Sequence, residues 1–123
     1  DTLTEYEEFV GLSTKSNMIT IEGEILQENR SVSNFEWTVN PNVKMCGSYF
    51  SCNEGDQISI LVNVDPDDAY IRVGIERADG YKRYVYSKDR ISHTFEITAD
   101  GIWRIYVENT SQEAVTVEGS YIR

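Results

Sequence analysis

The chain holds one histidine, so acid–base chemistry near neutral pH must be built on it or on the carboxylates. His93 lies in the phrase HTFEIT, in phase with Phe95 and Ile97. Alternation along a strand puts its ring with theirs and aims Ser92 the opposite way. A serine on the far face cannot hand its proton to this imidazole, so sequence neighbours assemble no Ser–His pair. No G-x-S-x-G elbow, P-loop or Rossmann glycine pattern occurs. The 21 acidic residues would supply a glycosidase pair by number, but no spacing singles out two of them, and a solvated acidic face accounts for them. The expectation is no catalytic residue, no cofactor, and His93 as a half-buried packing residue.

Asp65, Asp67 and Asp68 crowd one loop, and hard cations favour such oxygen clusters. The phrase has no EF-hand register and no bidentate Glu at the right spacing. A Pro-centred turn whose Asp side chains cap their own backbone is expected instead, with no metal bound. Cys46 and Cys52, in CGSYFSC, are too far apart in sequence for a redox C-x-x-C pair. Zinc would need two further ligands that a single histidine cannot supply. In a straight strand their sulfurs would lie roughly 20 Å apart, whereas a bulge or turn at Gly47-Ser48 would bring them together. A Cys46–Cys52 disulfide is the expectation taken, with the free-thiol alternative left open.

Flat solvent-facing rings can stack on sugars. Tyr106, out of phase with Trp103, Ile105 and Val107, and Tyr49, beside the cysteine-loop glycine, are the candidates, while Trp37 and Trp103 fall on the core phase. Asn29-Arg30-Ser31 and Asn109-Thr110-Ser111 match the N-glycosylation sequon, which counts only in a eukaryotic secretory route.

A length of 123 residues fits one domain. The net charge of −10, with no basic stripe to offset it, repels phosphate backbones and anionic membranes, which argues against a nucleic-acid partner. No apolar run is long enough to span a bilayer, so no membrane insertion by this segment is expected, and none reads as a signal peptide. A monomer is expected, contacting a protein partner or another domain of a parent protein.

Residues 1–17 are read as a linker or N-terminal arm, with a short helix capped by Thr4 and Glu7, carrying Tyr6, Phe9 and Val10, as the alternative. Residues 18–123 read as strand, turn, strand. Ile19, Ile21 and Ile25 share a phase, as do Phe35, Trp37 and Val39; Ile58, Ile60, Val62 and Val64; Val115, Val117 and Tyr121. Turn residues separate them at Asn53–Asp56, Asp65–Asp68, Asp79-Gly80, Asp100-Gly101 and Asn109–Gln112. Asp79-Gly80 is read as a two-residue type I′ turn, which would set Ile75 opposite Tyr84, Val73 opposite Tyr86, Glu76 opposite Arg83 and Gly74 opposite Val85. The pattern predicts an all-β fold: a two-layer antiparallel β-sandwich of about eight or nine strands, jelly-roll-like or immunoglobulin-like.

From Gly55 onward the phrases GDQISILVNV, AYIRVGIERADGYKRYVY, SHTFEITADGIWRIYVEN and AVTVEGSYI follow an order that resembles the C-terminal pre-peptidase-type and related jelly-roll modules of secreted bacterial proteins. They are similar also to tails of sensor-type membrane metallopeptidases. The Asp65–Asp68 loop and the cysteine pair depart from that pattern. The resemblance implies a non-catalytic extracellular module of an exported or cell-surface protein, serving folding, display or protein contact, and carries over no active-site residue. The alternative is a carbohydrate-binding module using exposed aromatic rings.

Overall fold

The computed structural model describes residues 3–9, 18–28 and 32–123. Twelve strands fill these residues: β1 Glu5–Phe9, β2 Ile19–Glu22, β3 Gln27–Glu28, β4 Val32–Val39, β5 Val43–Cys46, β6 Phe50–Cys52, β7 Gln57–Asp65, β8 Ile71–Arg77, β9 Tyr81–Ser87, β10 Arg90–Glu96, β11 Gly101–Asn109 and β12 Val115–Ile122. They form two sheets, ordered β1-β9-β8-β11-β5-β2, with β6 also on β11, and β10-β7-β12-β4-β3. The all-β sandwich read from the alternation is therefore what the chain forms. β1, β3, β5 and β6 lift the count above the eight or nine expected, because short or edge strands need no clean alternation. Every pairing is antiparallel except β2 with β5.

The inner faces supply one core. Phe35, Trp37, Val39, Ile58, Val62, Phe95, Val117 and Tyr121 from the second sheet meet Ile71, Val73, Ile75, Val85, Trp103, Ile105 and Val107 from the first. Trp37 and Trp103 are buried as their phase predicts, and each indole N–H donates to a carbonyl, of Glu24 at 2.9 Å and Ala99 at 3.3 Å. Buried indoles need such an acceptor. Ile19 and Ile21 are exposed on the edge strand β2, contrary to the core phase read for them.

Three expectations fail in instructive ways. First, Glu5–Phe9 is neither a helix nor a free arm but an edge strand on β9, with Tyr6 opposite Tyr84. Val10 lies outside the described residues.

Second, the β8–β9 register is one residue away from that of a two-residue turn. Ile75 stands opposite Arg83, Val73 opposite Val85, Gly74 opposite Tyr84 and Glu76 opposite Lys82. The loop has three residues, Ala78, Asp79 and Gly80, closed by the Gly80 N–H donating to the Arg77 carbonyl at 2.9 Å, with Gly80 at φ +100°. A type I turn followed by a left-handed glycine is the usual three-residue hairpin. Asp79 favours it over the two-residue form by accepting from Arg77 Nε and Nη2, both at 2.8 Å, and from the Tyr81 N–H at 3.2 Å. A one-residue slip reverses every side chain, so Tyr84 and Tyr86 face outward while Val85 enters the core.

Third, Cys46 and Cys52 are both buried free thiols. Cys46 pairs with Tyr106 and Cys52 with Gly101 along the same side of β11, five positions apart and about 17 Å by strand rise. The interruption at Gly47–Tyr49 shifts the pairing by one residue. It sends the two sulfurs to opposite faces instead of folding the chain back, so the expected bridge does not form.

Gly74 marks the tightest cross-strand approach. A Cβ there would strike the Arg83 carbonyl and lie 2.8 Å from Tyr84 Cβ. Gly74→Ala should therefore destabilise the chain by about 1–3 kcal/mol, the range for overpacking. Denaturant titration checks this, and an unchanged midpoint would refute the observed register.

Candidate functional site

The outward face of the first sheet is not an ordinary solvated surface. Tyr106, at its centre, has zero exposure. Its cross-strand neighbours are Gly74 on β8 and Cys46 on β5, both small residues. The phase read for Tyr106 was right, but it is no sugar platform, because long charged side chains surround it.

Those side chains form two triads. Glu76 accepts from Lys44 Nζ at 2.8 Å and Arg104 Nε at 2.9 Å. Glu108 accepts from Lys82 Nζ at 3.0 Å, with Arg72 Nη1 at 3.6 Å. Register places Lys82 opposite Glu76 and Lys44 opposite Glu108, yet each lysine pairs with the other, diagonal carboxylate. The crossing carries both ammonium groups past the phenol, at 5.8 and 5.4 Å from its ring centroid, within cation–π range. Lys44, Glu76, Lys82 and Glu108 are all less than a tenth exposed, a burial that charged groups reach only when paired.

The titrations follow from this packing. Desolvation alone would raise the Glu76 carboxyl, but the hydrogen bonds and charges of Lys44 and Arg104 outweigh it and hold the group below the ordinary range. Burial, reinforced by Glu108 and Glu76, drives the Tyr106 phenol well above its usual value. Burial also pushes the Cys46 thiol up to about 11, against the opposing charges of Arg104 and Lys44. At neutral pH Glu76 is thus ionised while Tyr106 and Cys46 keep their protons. The Tyr106 hydroxyl is buried with no hydrogen-bond partner among the described residues.

His93 sits in a second place, an open cleft between the sheet edges of about 530 Å³, lined by Glu5, Glu7, Tyr81, Arg83, Thr94, Glu96 and Thr98. Its ring packs edge-on against Phe95 with centroids 4.6 Å apart, the half-buried packing role that its phase suggests. Nε2 lies 3.0 Å from Glu5 Oε1, and Arg83 Nε lies 3.3 Å from the other Glu5 oxygen. Tyr81 donates to Glu7 at 2.7 Å, and Arg83 Nη1 donates to the Glu96 carbonyl. Among the described residues no hydroxyl or thiol is hydrogen-bonded to the imidazole. Glu5 escaped the sequence reading because residues 1–17 carry no strand alternation.

A third feature was hidden by the hairpin register. Tyr6 and Tyr84 stack at 5.4 Å, Tyr70 and Tyr86 meet at 5.1 Å, and Tyr6, Tyr70 and Tyr86 are nearly half exposed. Reading Ala78-Asp79-Gly80 as a three-residue loop would have brought them out. Tyr49 is exposed as expected, but beneath the Arg104 guanidinium, 4.4 Å from its ring centroid.

The remaining candidates carry no ligand arrangement. No group of three or more His, Cys, Asp or Glu side chains placed to hold a metal occurs among the described residues, the Asp65–Asp68 loop included. Asn109 is wholly buried, its amide donating to the Val39 carbonyl at 2.9 Å and the Glu113 carbonyl at 2.7 Å, so the Asn109-Thr110-Ser111 sequon is closed in the folded chain. The Asn29-Arg30-Ser31 sequon lies outside the described residues. No helix among the described residues is long and apolar enough to cross a membrane.

No family model matches the sequence, and no curated protein matches it. Solved structures do match in fold. The pre-peptidase C-terminal domain of a Bacillus anthracis collagenase aligns with a TM-score of 0.53 at 13% identity, over 89% of this chain and 98% of that one. The Yersinia pseudotuberculosis-derived mitogen gives 0.53 at 13% identity, over 74% and 84%. PliG, a periplasmic inhibitor of g-type lysozyme from Aeromonas hydrophila, gives 0.50 at 9%, over 87% and 98%. The chain has a jelly-roll-like β-domain fold, similar to that of the pre-peptidase C-terminal domain, as its phrase order suggests.

Two outcomes follow. Glu76→Gln should cost about 3 kcal/mol, the low end for a broken buried pair, since it strands the buried Lys44 and the half-buried Arg104. Because the folded Glu76 carboxyl is depressed, its contribution is complete above the ordinary carboxylate pKa and is lost as pH falls through the lowered value. Wild type should therefore lose its advantage over the variant on acidification, and a gap that stays constant from pH 7 to pH 2 would contradict the pairing. For the cysteines, a pKa of about 11 at Cys46 leaves roughly one thiolate per thousand at pH 8. Native protein should react with Ellman's reagent far more slowly than denatured protein, which should release two thiols without a reductant. None released would restore the bridge.

Proposed function

We propose that this chain is a non-catalytic accessory module of an exported or cell-surface bacterial protein, serving folding, display or protein contact. The observation that carries the reading is that its polar clusters close on themselves. The carboxylates of Glu76 and Glu108 are each held between two cations, and His93 is held by Glu5. A catalytic site keeps an acid, base or nucleophile poised to exchange a proton with substrate, and these clusters are arranged to hold sheets together. The fold likeness to a C-terminal domain of a bacterial collagenase and to a periplasmic inhibitor supports an exported setting. The acidic surface suits a soluble appendage that repels nucleic acid.

Two measurements test this. Fractionation of cultures of the source organism should recover the chain outside the cytosol, in the medium or the cell envelope, whereas recovery from the cytosol alone would overturn the exported reading. Purified protein assayed on chromogenic esters, peptides and glycosides should give no turnover. Turnover abolished by His93→Ala would make the chain an enzyme built on the Glu5–His93 pair.

A further inference from the structure

Beyond an accessory role, we propose that the tyrosine strip on the outward face of the first sheet is a binding site for an uncharged glycan chain. Tyr6, Tyr84 and Tyr86 lie side by side on β1 and β9, and Tyr70, just before β8, continues the row beside Tyr86. Two adjoining clefts share Tyr86: one of about 350 Å³ with Tyr6, Arg72, Tyr84 and Thr110, the other of about 360 Å³ running from Tyr70 to Ser111, Gln112 and Glu113.

The mixture of groups selects the ligand. Flat rings supply apolar faces of fixed orientation at little entropic cost. Apart from Ala69, the side chains between them end in hydroxyl, amide, carboxylate or guanidinium groups, so these clefts have no aliphatic pocket for a peptide's apolar anchor. Pyranose rings match that pattern, with C–H faces to stack and hydroxyl edges that both donate and accept. Charge decides the class of sugar. Arg72 and Lys88 lie over the Tyr84 and Tyr70 rings at 4.9 and 5.5 Å, and Asp68 and Glu113 line the second cleft. Arg72 thus belongs to the first cleft, where Glu108 already answers it, and the second cleft is lined by carboxylates, on a chain of net charge −10. A polyanion gains little from an arginine already paired and is repelled by the second cleft and by the chain overall, whereas a neutral chain uses Arg72, Asp68 and Glu113 as hydrogen-bond partners.

The strip is also held in place. Arg72 is fixed between the Tyr84 ring and Glu108, 3.6 Å away, which stiffens the wall of the first cleft before any ligand arrives. Pre-organisation of this kind lowers the ordering cost of binding.

Affinity electrophoresis and calorimetry with laminarin, xylan, galactomannan and hydroxyethylcellulose, against polygalacturonate, alginate and a decaproline peptide, test the proposal. At least one neutral glycan should bind saturably, and Tyr86→Ala and Tyr70→Ala should each weaken it tenfold or more while leaving the melting curve in place. Tyr49→Ala, on a ring outside the strip, should have no effect. Binding that survives both strip variants, binding of the acidic polymers or decaproline alone, or no binding by any of these polymers would each overturn it. The accessory-module reading would stand in all three cases, since its tests are separate.

Discussion

The three-residue turn at Ala78-Asp79-Gly80 decides what each side of the first sheet becomes. Arg77 clamps Asp79 through two hydrogen bonds, and the following glycine takes the left-handed conformation that the turn needs. From that point every pair on β8 and β9 is set. Val73 and Val85 go inward together, and Arg72, Gly74 and Glu76 go outward with Lys82, Tyr84 and Tyr86. Had the turn closed one residue shorter, Val85 would stand in water and the tyrosines would crowd the core. Both triads and the tyrosine strip would then lose their members.

The outward face also shows two kinds of interaction under one geometry. Coulomb attraction and desolvation nearly cancel for a buried ion pair, so the triads are not a large reservoir of stability. Their cost falls on any other arrangement. Moving β8 by one residue along β11 would turn Glu76 and Arg72 to the other face and leave the buried Lys44 without its carboxylate, and a stranded buried charge carries a penalty of several kcal/mol. The lattice therefore acts on register more than on stability, and through Glu76 beside the turn and Arg72 at the far end of β8 it protects the same pairing that the turn establishes. Tyr106 fits this role. Its ring lies near both triads and meets both ammonium groups, while its buried hydroxyl has no hydrogen-bond partner among the described residues.

The sequence carried the sandwich plainly where strands are buried on one side. In QISILVNV and NFEWTVN, period-2 alternation is the direct record of a core face and a solvent face. It failed where a strand has no such contrast. β8 and β11 are buried on both faces, so Glu76, Tyr106 and Glu108 read as solvent-facing when they are covered. The Asp-Gly pair admits two turn lengths, and the choice between them rests on the Arg77–Asp79 contact, which no local propensity encodes. The cysteines failed for a related reason, since a bulge near Gly47 can change a face or reverse a chain, and only its pairing with β11 distinguishes the two. The candidate site was correspondingly less legible than the fold. Trp37, Trp103 and His93 landed where their phases put them, whereas Glu5, Tyr6, Tyr84 and Tyr86 required tertiary partners to acquire a meaning.

β1 shows most directly why such a strand leaves no pattern. Edge strands in a sandwich expose unpaired backbone groups that invite another strand, and natural sheets guard them with inward-pointing charge. Glu5 and Glu7 occupy the positions on β1 that face the sandwich interior, opposite Val85 and Arg83, where an ordinary strand would place valine or isoleucine. They are accommodated because the neighbouring groups are Arg83, Tyr81 and His93, so each acid is answered within the cleft. Glu5 does more than satisfy a charge: it joins β9 of one sheet to β10 of the other, so polar contacts instead of packing bridge the cleft between the sheet edges. An apolar β1 would bury more surface, but it would also offer a second sheet a matching edge. The acidic phrase EYEEF is unreadable as a strand for the same reason that it serves as a border.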